Sequence, residues 1–189
     1  MDWSELRQQA SADAGIEATS LVGADCSWGE TDSRRLRTTL ANIDRADWHY
    51  GGNYPQELPP ENGGTHIGMY LAWIVHRDLG SEELMRLAGD TYTWVLNREV
   101  TGRDLLFTKL DEKFFDSLLN PEGRAFTKSY YETNGYANDY DRVLGGDLPT
   151  LYHVADTWKN FDKLVPVLDD RLVAWRALKN RAMPDPDDL

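Results

Sequence analysis

Four histidines, one cysteine and 32 acidic residues set the chemistry open to this chain. His49 lies in an aromatic loop, His66 at the start of an apolar helix, and Asp111 between Phe107 and Phe114–Phe115. Brought together, these three could form a polar cluster that binds a small ligand or moves a proton. Their separation along the chain does not decide whether they meet. His66 and His76 fall ten positions apart on one helix and point in directions differing by about 80°. No HExxH or comparable ligand spacing occurs, so the spacing predicts no metal and no other cofactor. In the first helical turn, where the dipole disfavours a protonated ring, His66 is expected to be neutral and bonded to the preceding loop. Asp111 is expected to be half-buried against an apolar face, where it needs a donor. Cys26 has no histidine or basic residue beside it, and no GxSxG motif is present. The Gly-Gly pairs at 51–52, 63–64 and 145–146 lack the GK[ST] of a phosphate loop. Nothing here requires catalysis, and the chain is not expected to be an enzyme.

The elements that position these residues are mostly helical. Residues 3–14 can form a short helix, and Thr31 or Asp32 can cap another reaching Ile43. Residues 46–64 read as loop because Pro55, Pro59 and Pro60 exclude continuous helix. Thr65 caps a helix to about Leu79 that is apolar on most sides, the pattern of a central helix. A helix then starts at Ser81 and carries Leu84, Leu87, Ala88, Thr91 and Val95. Another opens at Thr101 and runs through Phe107, Leu110, Phe114 and Leu118. Asn120-Pro121-Glu122 is a helix start. Gly145-Gly146 marks a turn, Thr150 to Trp158 a short helix, and Pro166 the first turn of a last helix. No long stretch alternates with period two. The fold class expected is mostly α: one helical, bundle-like domain with a long aromatic Gly/Pro loop and little or no sheet. Residues 1–45 read as a peripheral helical extension, 46–181 as the domain, and 182–189 as a disordered acidic tail.

The chain has 189 residues, 41% of them hydrophobic, with seven tryptophans and nine tyrosines, enough for a folded core. Its 32 acidic against 20 basic residues give a net charge of −12. That balance argues against nucleic acid or an anionic membrane as partner and favours a basic protein. A single cysteine forbids an internal disulfide. Neither a signal-peptide pattern nor a membrane-length apolar run is present, so a cytoplasmic location is expected.

Two segments suit protein recognition. The loop from Trp48 to Tyr54 groups Trp48, His49, Tyr50 and Tyr54 around a Gly-Gly turn. The segment Ser129 to Asp147 interleaves tyrosines with acids, including Tyr136, Asp139, Tyr140 and Asp141. Tyrosine gives a large contact area at low entropic cost, and carboxylates seek lysine and arginine.

A longer set of residues carries a resemblance. It comprises Trp48-His49-Tyr50-Gly51-Gly52, Tyr54-Pro55, Leu58-Pro59, Glu61 and Thr65-His66-Ile67-Gly68-Met69-Tyr70-Leu71-Ala72-Trp73. It continues with Asp111-Glu112-Lys113-Phe114, Gly123, Phe126, Tyr130-Tyr131, Asp139-Tyr140, Leu151-Tyr152-His153-Val154, Asp156, Trp158, Asn160, Phe161 and Asp162. Across residues 44–176 the chain resembles a family of small, acidic, cytosolic bacterial proteins with an uncharacterised domain. Members look like immunity proteins encoded beside polymorphic or type VI secretion toxins. The resemblance implies a protein that binds and neutralises a cognate toxin by stoichiometric occlusion; the acidic charge adds the expectation that the toxin is a cytosol-acting nuclease effector with a basic surface. Two other classes remain open: a ligand-binding protein or enzyme using His49, His66 and Asp111, and an adaptor or chaperone for a secreted effector.

Overall fold

The computed structural model describes residues 41–50 and 54–182. The expected helix at 3–14, most of the one starting near Thr31, Cys26, the 51–52 turn and the acidic tail lie outside the described residues.

Thr65–His76 forms α1, and every residue from Thr65 to Val75 is buried. A helix apolar on all sides must be enclosed by the rest of the chain, and α1 is the axis of this fold. Gly64, not Thr65, is its N-cap residue, without a side-chain cap. The Thr65 hydroxyl is used elsewhere, accepting from Arg103 at 3.2 Å.

The following elements wrap α1. Ser81 caps α2 (Glu82–Ala88) by accepting from the Leu84 amide at 3.2 Å. Gly89, at φ +53, separates α2 from α3 (Asp90–Leu96), so the single expected helix is two. Thr101 and Asp104 form a capping box at the start of α4 (Gly102–Lys109). Helices α1 and α4 approach through glycine: a Cβ on Gly102 would stand 2.0 Å from the Gly68 carbonyl oxygen.

The expected continuation of α4 through Phe114 and Leu118 does not occur. Asp111 and Glu112 take φ values of 50° and 62°, which end the helix and turn the chain into β2 (Lys113–Phe115). This strand pairs antiparallel with β1 (Asn42–Arg45) in a two-stranded sheet. Ile43 is therefore in a strand, not on a helix face, and residues 42–45 belong to the folded body. The register breaks between Asn42 and Asp44. Strict alternation would send Ile43 and Asp44 to opposite faces, yet both are buried. A bulge re-aims side chains in this way.

Asn120 caps α5 (Pro121–Tyr130), accepting from the Gly123 amide at 2.8 Å. Then come α6 (Gly135–Tyr140), a π-turn over Asp141–Gly145 and a 3-10 turn at Leu151–His153, where a short helix was expected. The last helix, α7 (Trp158–Ala182), begins well before Pro166, which lies inside it. Helix α7 is basic, with 6 Lys+Arg against 3 Asp+Glu over 158–182, whereas 41–157 carry 10 against 19. Arginine forks clamp the two parts together. Arg77 meets Asp169 (2.6 Å twice), Arg171 meets Asp139 (2.7 and 3.1 Å), and Arg176 meets Glu122 (2.8 Å twice). The protein is mostly α-helical, with seven α-helices among the described residues.

Candidate functional site

Three neighbouring elements bring a carboxylate and two imidazoles to one buried point. Strand β1 supplies Asp44, aimed inward by the bulge. The 3-10 turn Ala46–His49, held by a hydrogen bond from the Ala46 backbone N–H to the Glu112 carbonyl (2.9 Å), supplies His49. The first turn of α1 supplies His66. All three are at most 2% exposed.

The contacts converge on Asp44. His49 Nε2 lies 3.0 Å from Oδ1 and His66 Nε2 lies 3.3 Å from Oδ2. The Arg45 amide donates to Oδ1 (2.8 Å) and the Tyr131 hydroxyl to Oδ2 (2.7 Å). His49 Nδ1 meets the Tyr152 hydroxyl at 3.1 Å, and the two imidazole centroids are 4.5 Å apart. Burial alone would raise the Asp44 carboxyl pKa. The charge and hydrogen bonding of His49, with those of His66, outweigh burial and hold it well below the usual carboxylate range. The donor atoms of the three residues all lie within 4.8 Å of one another, a spacing that could hold a metal ion.

Aromatic rings wall this cluster. Tyr131 stacks on Tyr136 at 4.9 Å and 15°. Tyr136 donates its hydroxyl to the His66 carbonyl (2.7 Å), and Tyr140 stands edge-on to His66 at 6.2 Å. Tyr136 and Tyr140, expected at a partner-facing surface, are therefore core residues with 0% exposure. Asp139 is 3% exposed and also turns inward, accepting from Tyr130 (3.0 Å), Arg142 and Arg171. Of that segment Asp141 alone among the named candidates stays exposed, beside an open pocket of about 180 Å³ lined by Gly145, Gly146 and Leu148. The periodicity of a tyrosine-acid segment does not distinguish a wet face from one covered by α7.

His49 is likewise buried, while Trp48, Tyr50 and Tyr54 remain partly exposed. Tyr54 packs on Tyr152 at 4.9 Å and donates to the Pro59 carbonyl at 2.6 Å. Tyr50 donates to Glu112 at 2.9 Å. Burial raises the pKa of the Tyr50 hydroxyl, and Glu112, Glu61 and Asp47 raise it further, marking a concentration of carboxylates around this ring.

Asp111 does not join the cluster. Its side chain is 86% exposed and pairs with Lys113. The expected burial assumed a helix through Phe114, which the left-handed turn at Asp111–Glu112 removes. Asp44, Tyr131 and Tyr152 are the functional-site residues that sequence reasoning missed. Asp44 meets the two histidines across 5 and 22 positions, Tyr152 meets His49 across 103, and Tyr131 meets Asp44 across 87, a set that no local motif encodes.

No curated protein and no solved structure gives a significant match to the chain. One family model does match, that of a domain of unknown function (DUF7832), over residues 42–154. The match runs from β1 through the 3-10 turn that carries Tyr152 and covers more than half of the chain, so this protein belongs to the DUF7832 family.

Proposed function

We propose that this protein is an immunity protein that binds a cognate bacterial toxin, a cytosol-acting nuclease, and neutralises it by stoichiometric occlusion without turnover. The observation that carries the reading is the partly exposed aromatic group Trp48, Tyr50 and Tyr54 with exposed carboxylates at Asp47, Glu57 and Glu61. Large aromatic side chains supply interface contact, and carboxylates around them can occupy the phosphate sites of a basic cleft. The excess of acid over base within residues 41–157 supports a basic partner. The resemblance of the Trp48–Trp73 motif to immunity proteins points the same way. The Tyr136–Asp141 segment supports the scaffold, and only Asp141 remains a candidate contact from it.

The test is capture of partners by the tagged full chain from its native bacterium, followed by an activity assay on what co-purifies. A nuclease that is silent in the complex and active on release is the expected result. A partner that works equally well when bound would replace this reading with the adaptor role. Recovery of no partner would discard both.

A further inference from the structure

We propose that Asp44, His49 and His66 form a binding site for one divalent transition-metal ion, zinc foremost, buried beneath the aromatic loop. This goes beyond toxin binding and does not depend on it.

The donor set is the first ground. Two imidazole nitrogens and a carboxylate suit first-row divalent ions such as zinc and Fe(II). Both rings turn the same nitrogen, Nε2, to the carboxylate, one to each oxygen, at 3.0 and 3.3 Å. Donors about 2.1 Å from a tetrahedral zinc ion stand about 3.4 Å from one another, and the N···O separations of 3.0 and 3.3 Å, with all donor atoms within 4.8 Å, come close to that spacing with only small side-chain shifts needed.

Support around the donors is the second. A ligating histidine commonly uses its other ring nitrogen in a hydrogen bond, and a ligating carboxylate is itself held by a donor. Here His49 Nδ1 meets Tyr152 Oη, and Tyr131 holds Asp44 Oδ2. Those tyrosines come from the residue just past α5 and from the 3-10 turn at 151–153. The supports therefore tie distant parts of the chain to a site whose donors lie within a short stretch.

Burial is the third. Each donor residue is at most 2% exposed, with Tyr131 closing on Asp44 and Tyr136 and Tyr140 closing on His66. The three side chains converge at a point enclosed by protein, so a bound ion would be held by these donors. Three protein donors leave a fourth position for a hydroxyl or water.

The experiment uses the free full chain. Protein from cells grown with added zinc is assayed for bound metal, stripped with a chelator, and titrated with Zn²⁺ by calorimetry and Co²⁺ by visible absorption. The expected results are one equivalent of metal, d–d bands of N/O-ligated Co²⁺, and an unfolding midpoint raised by roughly 5–10 °C at a hundredfold excess of zinc over Kd. His66→Gln should weaken zinc binding at least about tenfold. Tyr131→Phe, which keeps the ring, should weaken it by about 10- to 100-fold while retaining the native circular dichroism. His153→Gln, at a histidine outside the cluster, should change nothing. Absence of retained metal together with no midpoint shift for zinc, cobalt, Fe(II) or manganese would overturn the proposal. So would undiminished zinc binding by His66→Gln. Either result would make the cluster a purely hydrogen-bonded triad.

Discussion

The hydroxyl of Tyr131 lies 2.7 Å from Oδ2 of Asp44, although 87 residues separate them. This bond joins the chain just past α5 to the two-stranded sheet, inside a core where water cannot replace it. Tyr131→Phe keeps the ring contacts with Tyr70 (4.8 Å) and Tyr136 (4.9 Å) but removes the donor. The expected cost is about 1–3 kcal/mol in urea denaturation. A change under about 0.5 kcal/mol would mean that the hydroxyl is not required for stability.

Asp139 makes a pH prediction. Burial would raise its carboxyl pKa, but Arg171, Arg142 and Tyr130 outweigh burial and hold it at about 2, below the ordinary 3.8. Below the ordinary value the unfolded chain takes up a proton that the folded carboxylate refuses. The stabilisation is therefore complete above about pH 5 and is lost as pH falls towards 2. Both arginines are more than half exposed, so solvent screens the pairs. A contribution of about 1–2 kcal/mol is expected after that discount. Asp139→Asn should be less stable than the parent at pH 7, and the gap should narrow between pH 5 and pH 2. A gap independent of pH in acid denaturation curves would refute this account.

Gly102 tests the packing of α1 on α4. A methyl group there meets the Gly68 carbonyl at 2.0 Å and the Ala72 amide nitrogen at 2.8 Å, both backbone atoms that cannot rotate aside. Gly102→Ala should cost about 3 kcal/mol or more through overpacking, despite the better helix propensity of alanine. Thermal unfolding is the readout, and an unchanged or raised midpoint would show that the helices are not in this contact.

The surface reading separates residues by what their loss should do. Trp48→Ala, or Asp47→Lys combined with Glu61→Lys, should lower partner affinity at least tenfold and leave the unfolding midpoint nearly unchanged. Tyr136→Ala should do the reverse in kind, lowering stability by about 3–5 kcal/mol. Affinity should also fall with added salt. Binding insensitive to both salt and charge reversal would remove the acidic face from the interface.

Much of the helical scaffold was legible because its signals are local. Ser81, Thr101 and Asn120 cap helices where their side chains can reach an amide three residues on. The uninterrupted apolar run Ile67–Val75 demanded burial on every side, and α1 has it. Local signals failed where a few residues had two readings. Phe107, Leu110, Phe114 and Leu118 fit helical spacing, yet Asp111 and Glu112 enter the left-handed region and the chain pairs with β1 instead. The gain there comes from a strand partner far away in sequence, which periodicity does not register.

The sequence by itself determined the class of the fold, the central helix and the acidic character of the domain, since these follow from composition, capping and apolar spacing. It also singled out His49 and His66. Only the tertiary structure decided their company. The β1 bulge turned Asp44 inward, the left-handed turn carried Asp111 out to solvent, and the packing of α5, α6 and the 151–153 turn brought Tyr131, Tyr136 and Tyr152 to the two imidazoles. A buried carboxylate needs donors on all sides, and the neighbours in sequence, the Arg45 amide and His49, reach only Oδ1 of Asp44, leaving Oδ2 to His66 and Tyr131. The chain must return from distant elements to do so, and those returns are set by core packing.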